Sequence, residues 1–418
     1  MTESIRKDVD TQVRAEPGLR GRDILLLSSD DYEAGLKTSK HQLTECLSRH
    51  NRILFVESVG LRRPAARAKD LGRIRQKVAR FVAGPQKRAD NLWVYTPLAI
   101  PLHQRPLVRA FNDRFVSFCI RRAAQRLGFC DPLLWIFLPT VAGVAGRCGE
   151  RLLLYYCVDD FAQFTGSDVA VINALDRELT CKADVVFASA ESLADRKRAL
   201  NPNTHYIPHG VDIEHFRRAV DGMAVPADIA DLRGPVITYW GWISDYFDQD
   251  AVADMATTHP EWNILLIGES TVDLSWLRSF ANVRILGTRP YETLPGYAAR
   301  SDVLLILRKV TALTRSMNPL KLREYLATGR PVVSSPLPEV QACCDTKYKG
   351  AVTVAESPHG VTAAVEAFLA SATPERAARI AALVADESWE VRLTRIAREI
   401  LAAEAQRDAR QASNRVRP

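Results

Sequence analysis

The apolar run RLLLYYCVDD ends in two adjacent carboxylates, Asp159 and Asp160. A carboxylate held at the end of a strand is well placed to remove a proton from a hydroxyl, which is the work of a general base. Asp160 is the first candidate and Asp159 the second; the competing reading is that one of them caps the helix that follows. A second constellation is SMNPLKLRE, from Ser316 to Glu324. Asn318 suits a helix N-cap, Pro319 suits the first helical position, and the freed amides of a helix start favour a phosphate. Lys321 and Glu324 follow one turn apart on one face, although on a solvated helix Glu324 would merely pair with Lys321 or Arg323. A third is YWGWISDYFD, where Gly241 at a strand end would let the backbone approach a ligand closely. Here Asp245 and Asp248 read as caps of the next helix.

The eight cysteines show no CxxC pair and no histidine at metal-ligand spacing, so reduced core thiols are expected. Cys343 and Cys344 are adjacent, which leaves a strained disulfide or redox switch as the alternative to two bystanders. No metal-binding DxD stands at a strand end, and no metal site is expected.

The elements that must position these groups follow from periodicity. A chain of 418 residues exceeds one core, and its 47% hydrophobic and 25% charged residues are those of a globular protein. In the first half DILLLSS, RILFVES, LWVYTP, LLWIFLP, RLLLYYCVDD, DVVFASA and THYIPHG alternate with helical stretches. In the second half PVITYWGW, NILLIGES, VRILGT, SDVLLILR, RPVVSS and GAVTVAE do the same. Short uninterrupted apolar runs separated by helices indicate parallel sheets covered on both faces. The expected organisation is a disordered tail over 1–21, a Rossmann-like domain over 22–215 and a linker over 216–234. A second Rossmann-like domain follows over 235–372, then C-terminal helices over 373–405 and a disordered tail over 406–418. Ligands of such sheets bind outside the carboxyl ends of the strands, so the active site is expected in the cleft between the domains. Neither half opens with GxGxxG, which removes the usual evidence for a dinucleotide cofactor.

Net charge is +7, and the bases cluster in LRRPAARAKDLGRIRQKVARFVAGPQKR, residues 61–88, and in RPLVRAFNDRFVSFCIRRAAQRL. In the first, Leu71, Ile74, Val78, Phe81 and Val82 fall near helical spacing, giving either a basic amphipathic helix for anionic lipid headgroups or a solvated surface helix. No nucleic-acid-binding module is present, and nucleic acid is not expected as a partner. The first twenty residues lack a signal-type apolar core and no run is long enough to span a bilayer, so a cytoplasmic protein is expected.

The string SMNPLKLREYLATGRPVVSSPLPEV resembles the donor-binding segment of GT-B glycosyltransferases, the twin-Rossmann group that includes bacterial exopolysaccharide and teichuronic acid enzymes. The resemblance implies an α/β fold of two doubly wound domains. It also implies a nucleotide-diphosphate sugar, UDP- or GDP-linked, as co-substrate, with no further cofactor. On it, Lys321, Asn318, Ser316 and Arg308 lie on the donor side with Gly241 beside the diphosphate, and Glu324 accepts hydrogen bonds from ribose hydroxyls. Lys309 and Arg315 are further candidates for the leaving group's charge. VFASAESLADRKRALNPNTHYIPHGVDIEHF resembles the end of the first domain in the same group, with His209 and Gly210 marking the cleft at a tight turn, His209 either contacting the donor or a satisfied structural histidine, and Asp212 capping the next short helix. SSDDYEAGLKTSKHQLTECL resembles the acceptor-side opening, where Lys40 and His41 start a helix as cleft candidates, solvated in the plainer reading.

Many retaining relatives carry two glutamates eight apart; here Ser316 stands eight before Glu324, which favours direct displacement with inversion. The expected activity is transfer of a sugar to a polysaccharide or lipid-linked glycan acceptor in cell-envelope synthesis, at the inner face of a membrane. A sugar-nucleotide epimerase of the same fold and a non-catalytic binding subunit are the rival readings.

Overall fold

The computed structural model describes residues 18–33, 37–58, 68–100 and 105–416. Its described residues form two compact units, one built on 18–33, 40–208 and 392–416, the other on 37–39 and 209–391.

The first unit holds β1 (Asp23–Leu27), β2 (Arg52–Val56), β3 (Gln86–Ala89), β4 (Leu92–Tyr95), β5 (Leu133–Ile136), β6 (Leu152–Cys157), β7 (Val185–Ala188) and β8 (Thr204–Tyr206). They form one sheet in the order β3-β4-β2-β1-β5-β6-β7-β8. β1, β5, β6 and β7 are buried along their whole length, as strands covered on both faces must be, and all pairings are parallel except β3 with β4. The helix expected on the spacing of Leu71, Ile74, Val78, Phe81 and Val82 is present, but it does not fill the basic segment 61–88. The helix instead spans Ala68–Ala83 and stops at Gly84, whose φ of +72° is the left-handed conformation that closes helices. Gln86–Ala89 then forms the exposed antiparallel edge. Its residues QKRA carry no apolar alternation for a reader to see. The side chains of Leu71 and Ile74, on which part of the amphipathic reading rests, lie outside the described ones.

The second unit holds β9 (Val236–Trp240), β10 (Asn263–Ile267), β11 (Val283–Gly287), β12 (Val303–Ile306), β13 (Val332–Ser334) and β14 (Val352–Val354), all parallel, in the order β11-β10-β9-β12-β13-β14. The chain runs outward from β9 through β11 and then crosses back to β12. The switch point therefore falls between β9 and β12, and the residues just past their carboxyl ends include Gly241 and Arg308.

Two expected boundaries change. Residues 216–234 are no free linker, because Phe216, Ala219, Ile229 and Leu232 enter the core of the second unit. The C-terminal tail is no loose end: one helix runs from Trp389 to Val416, and past Arg392 it belongs to the first unit. Glu404 pairs there with Arg22 and Arg151, and Asp408 pairs with Arg151 at 2.8 Å. These ion pairs give a polar helix end something to hold, which its composition alone did not show. Of the N-terminal tail, residues 1–17 lie outside the described residues.

Candidate functional site

On the second unit the site begins with two glycines. Gly241, directly after β9, has φ +137°, and a Cβ built on it would lie 1.9 Å from Cε and 2.4 Å from Nζ of Lys321. Gly268, directly after β10, has φ +140°, and its Cβ would lie 1.9 Å from the Gly241 carbonyl oxygen. The lysine therefore lies on bare backbone, in space that any other residue at 241 would fill. Gly268 had no role in the sequence reading, although NILLIG ends in glycine just as YWG does.

Lys321 sits on the helix Leu320–Ala327, which Tyr325 fastens to the end of β9. The Tyr325 hydroxyl accepts from the Trp240 amide at 3.1 Å and donates to the Trp240 carbonyl at 3.0 Å. Burial and the neighbouring Arg308 lower the Lys321 ammonium to about 8, against the opposing pull of Glu324. Arg308 follows β12, stacks over the Tyr246 ring at 4.6 Å, and leaves Nη1 buried without a hydrogen-bond partner among the described residues. Two adjacent cations, one desolvated and one with an orphaned donor, form a ready site for an anion. Glu324 is 5% exposed and the helix is buried from Leu322 on, which removes the solvated-helix reading. Ser316 is buried and donates to the Leu313 carbonyl at 3.0 Å. A hollow of about 40 Å³ lies beside both glycines, lined among others by Trp242, Glu269, Thr288 and Arg289.

Asn318 departs from its expected role. The cap position is Pro319, with no side-chain cap, and Asn318 instead accepts from Arg323 at 2.8 Å and donates to Glu339 at 3.2 Å. Arg323 in turn binds Glu387 at 2.5 Å, and Tyr348 donates to the same carboxylate at 2.6 Å. Burial alone would raise the Glu387 carboxyl, but Arg323, Lys347 and Tyr348 outweigh it and hold it at about 2. A depressed folded value stabilises above the unfolded 4.5 and is lost as pH falls through it toward 2. Acid titration of wild type should show this loss, on the order of 3 kcal/mol, in chemical-denaturation curves; Glu387→Gln should remove that segment of the pH dependence.

His209 is buried with its ring 6.3 Å from Trp389. Gly210 is needed for a different reason than a tight turn: its Cβ would meet Trp389 at 2.7 Å, and no positive φ is involved. Asp212 caps the helix Ile213–Arg217 and Asp248 caps Gln249–Thr258, both through their side chains as expected. Cys343 and Cys344 are free thiols, and burial pushes Cys343 up to about 11, which leaves it protonated at neutral pH. Among the described residues no group of three or more His, Cys, Asp or Glu side chains is placed to hold a metal.

On the first unit, Asp160 precedes the turn Phe161–Gln163 without capping it by its side chain. Its carboxylate is instead paired with Arg196 at 2.9 Å. Both border a cavity of about 390 Å³, shared with Asp159, Arg177 and Lys197. Lys197 is paired with Asp176, which also accepts from the Tyr155 hydroxyl at 2.6 Å. Lys40 and His41 do start a helix, Ser39–Ser48, but both are buried. Lys40 pairs with Asp30 at 2.9 Å, and His41 Nε2 lies 3.1 Å from the Asp31 carbonyl, its ring clustered with those of Tyr32 and Phe55. Burial lowers the His41 pKa despite the pull of Asp30. Their packing fixes the loop after β1 and removes the solvated reading.

Residues 243–371 match the family described as Glycosyl transferases group 1. The chain is 28% identical over 314 residues to the putative teichuronic acid biosynthesis glycosyltransferase TuaH of Bacillus subtilis, a match covering 63% of this chain and 77% of that one. Sucrose-phosphate synthase from Thermosynechococcus elongatus superposes with a TM-score of 0.63 at 17% identity, over 91% of this chain and all of that one. Anabaena Alr3699/HepE in complex with UDP-glucose does so with a TM-score of 0.57 at 14% identity, over 94% and 99%. The two doubly wound units are the GT-B fold.

Proposed function

We propose that this chain, whose two units have the GT-B fold and whose residues 243–371 match Glycosyl transferases group 1, transfers a sugar from a UDP-sugar to a glycan or lipid-linked acceptor of the cell envelope. The observation that carries the donor half is the buried Lys321 over the Gly241 backbone with Arg308 as its cationic neighbour, whose buried Nη1 has no hydrogen-bond partner among the described residues. The acceptor hydroxyl attacks the anomeric carbon and gives its proton to Asp160. The bond from that carbon to the phosphate oxygen breaks, and the diphosphate leaves with the electron pair. Lys321 and Arg308 meet the charge that develops on it, so the reaction is proposed to need no metal. A single displacement inverts the anomeric centre. The named relative's role in teichuronic acid synthesis supports an envelope acceptor.

The test is a thermal-shift panel of nucleotide diphosphates and their sugars on wild type and Lys321→Ala. Saturable stabilisation by the uridine compounds that disappears in the variant is expected. No shift with any nucleotide would end the donor-site assignment. Incubating UDP-sugars without acceptor separates transfer from epimerisation, since an epimerase would convert the donor alone.

The proposed location is the cytoplasmic face of an anionic membrane. Val78 and Val82 on the helix Ala68–Ala83, and Leu107, Phe111 and Phe118 on the helix Pro106–Arg126, are exposed large apolar side chains. Phe81 lies 6.1 Å from Phe115, so the two helices pack against each other there. Arg75, Lys77, Arg80, Arg109, Arg114, Arg121 and Arg122 stand on the same helices, and apolar insertion with basic neighbours is the chemistry of interfacial binding. Among the described residues no helix is long and apolar enough to cross a membrane. Flotation with vesicles containing phosphatidylglycerol should recover the protein; equal recovery with neutral vesicles, or none, would remove this reading.

Donor affinity should also depend on pH. Because free Lys321 loses its proton near 8 and the diphosphate prefers the ammonium, binding above that pH requires proton uptake. The dissociation constant for UDP should rise by up to about tenfold per pH unit above 8, and Lys321→Arg should flatten the profile in calorimetric titrations.

A further inference from the structure

One oxygen of Asp160 is occupied: the Arg196 guanidinium donates to Oδ2 at 2.9 Å. An acceptor hydroxyl that hands its proton to that oxygen needs the same hydrogen-bonding position, so the guanidinium must withdraw first. The surroundings show what could withdraw it. Arg196 is half exposed, with a side-chain exposure of 55%, while Asp160 is held at 13%. The arginine can swing and the aspartate cannot. Its one ion pair among the described residues is with Asp160. Arg177, on the same cavity, is exposed and has no ion-pair partner among the described residues, whereas the third cation, Lys197, is committed to Asp176.

Resting on the glycosyltransferase reading, we infer that the acceptor carries an anionic group, a carboxylate or a phosphate, which binds Arg196 and Arg177 in this cavity and takes Arg196 away from Asp160. Binding the correct acceptor then releases the base, and a neutral sugar of the same size leaves it paired. Asp159 and Asp160 repel an anion placed against them, so the group sits toward the two arginines. The arrangement couples recognition to activation: the cation that reads the acceptor is the one that restrains the base. The proton balance is that of the transfer itself, with the acceptor hydroxyl's proton passing to the freed Asp160 carboxylate. Arg196 is a positioning residue in this scheme.

The test uses the full chain and three probes, D-glucuronate, glucose 1-phosphate and glucose, titrated by calorimetry into wild type, Arg196→Gln, Arg177→Gln and Asp160→Asn. Removing the guanidinium that holds a charged partner should weaken the anionic probe by about tenfold or more. Asp160→Asn removes the negative charge that competes for Arg196, leaving at most a neutral hydrogen bond, and should tighten the same probe by about twofold to fivefold, the range for an exposed ion pair. Glucose should not respond to any of the three. Preference for glucuronate or for the phosphate names the source of the anion. Equal binding of glucose and both anions, or weaker anion binding in Asp160→Asn, would overturn the inference. UDP-induced thermal stabilisation, measured on each variant, confirms that the protein is folded. If it persists while the anion results fail, the acceptor inference falls alone; if it is absent in wild type, the glycosyltransferase reading falls.

Discussion

Asp160→Asn should lower kcat for sugar transfer by about 10²–10⁴, the usual contribution of a positioned base, while the dissociation constant for UDP stays unchanged. The asparagine keeps the shape at the start of the Phe161–Gln163 turn and can still accept one hydrogen bond from Arg196, so the loss is of proton affinity and not of local structure. Donor binding is untouched because the cationic site belongs to the other unit. Rates of product formation with saturating donor, together with a UDP titration, check both halves. An Asp160→Asn enzyme with wild-type kcat would transfer the role to Asp159, which borders the same cavity.

Lys321→Ala and Gly241→Ala should produce one phenotype from opposite directions. The first deletes the ammonium. The second places a methyl group 1.9 Å from Cε of Lys321, and at φ +137° it also strains the backbone, so the lysine must leave. Each variant should bind UDP about tenfold to a hundredfold more weakly, the scale of a hydrogen bond to a charged group, and the double variant little more weakly than either single one. Calorimetric titration of the three proteins settles it. Additive losses would mean that the glycine acts on the ligand through its own backbone and not through the lysine.

Much of this was visible in the sequence, for a physical reason. Strands covered on both faces must be apolar throughout, and every such strand could be read from its run. β3 could not, because an exposed edge strand has no face to bury. The proposed donor constellation could be read where its members are neighbours along one helix, as with Lys321 and Glu324. The ion pairs behind the proposed base and the acid stability are remote: Asp160 meets Arg196 across 36 residues and Arg323 meets Glu387 across 64, and neither partner carries a local pattern. Gly210 shows the same limit in another form. Its presence was legible, but the indole that requires it comes from Trp389, a residue read only as part of a helical repeat.

The helix that begins at Trp389 and ends in the other unit has a consequence for how the protein is made. Apart from the short piece ending at Ser39, which is made earlier, the second unit is built from the continuous stretch His209–Val391 and is complete once that stretch has left the ribosome. The unit encoded first does not: Arg22 and Arg151 wait for Glu404 and Asp408, about 200 residues behind Pro208. At roughly 5–20 residues per second that is about 10–40 s during which the earlier sheet exists without its closing helix. The order of completion is therefore the reverse of the order of synthesis, and a chaperone that captures the nascent chain should find its client in the first unit.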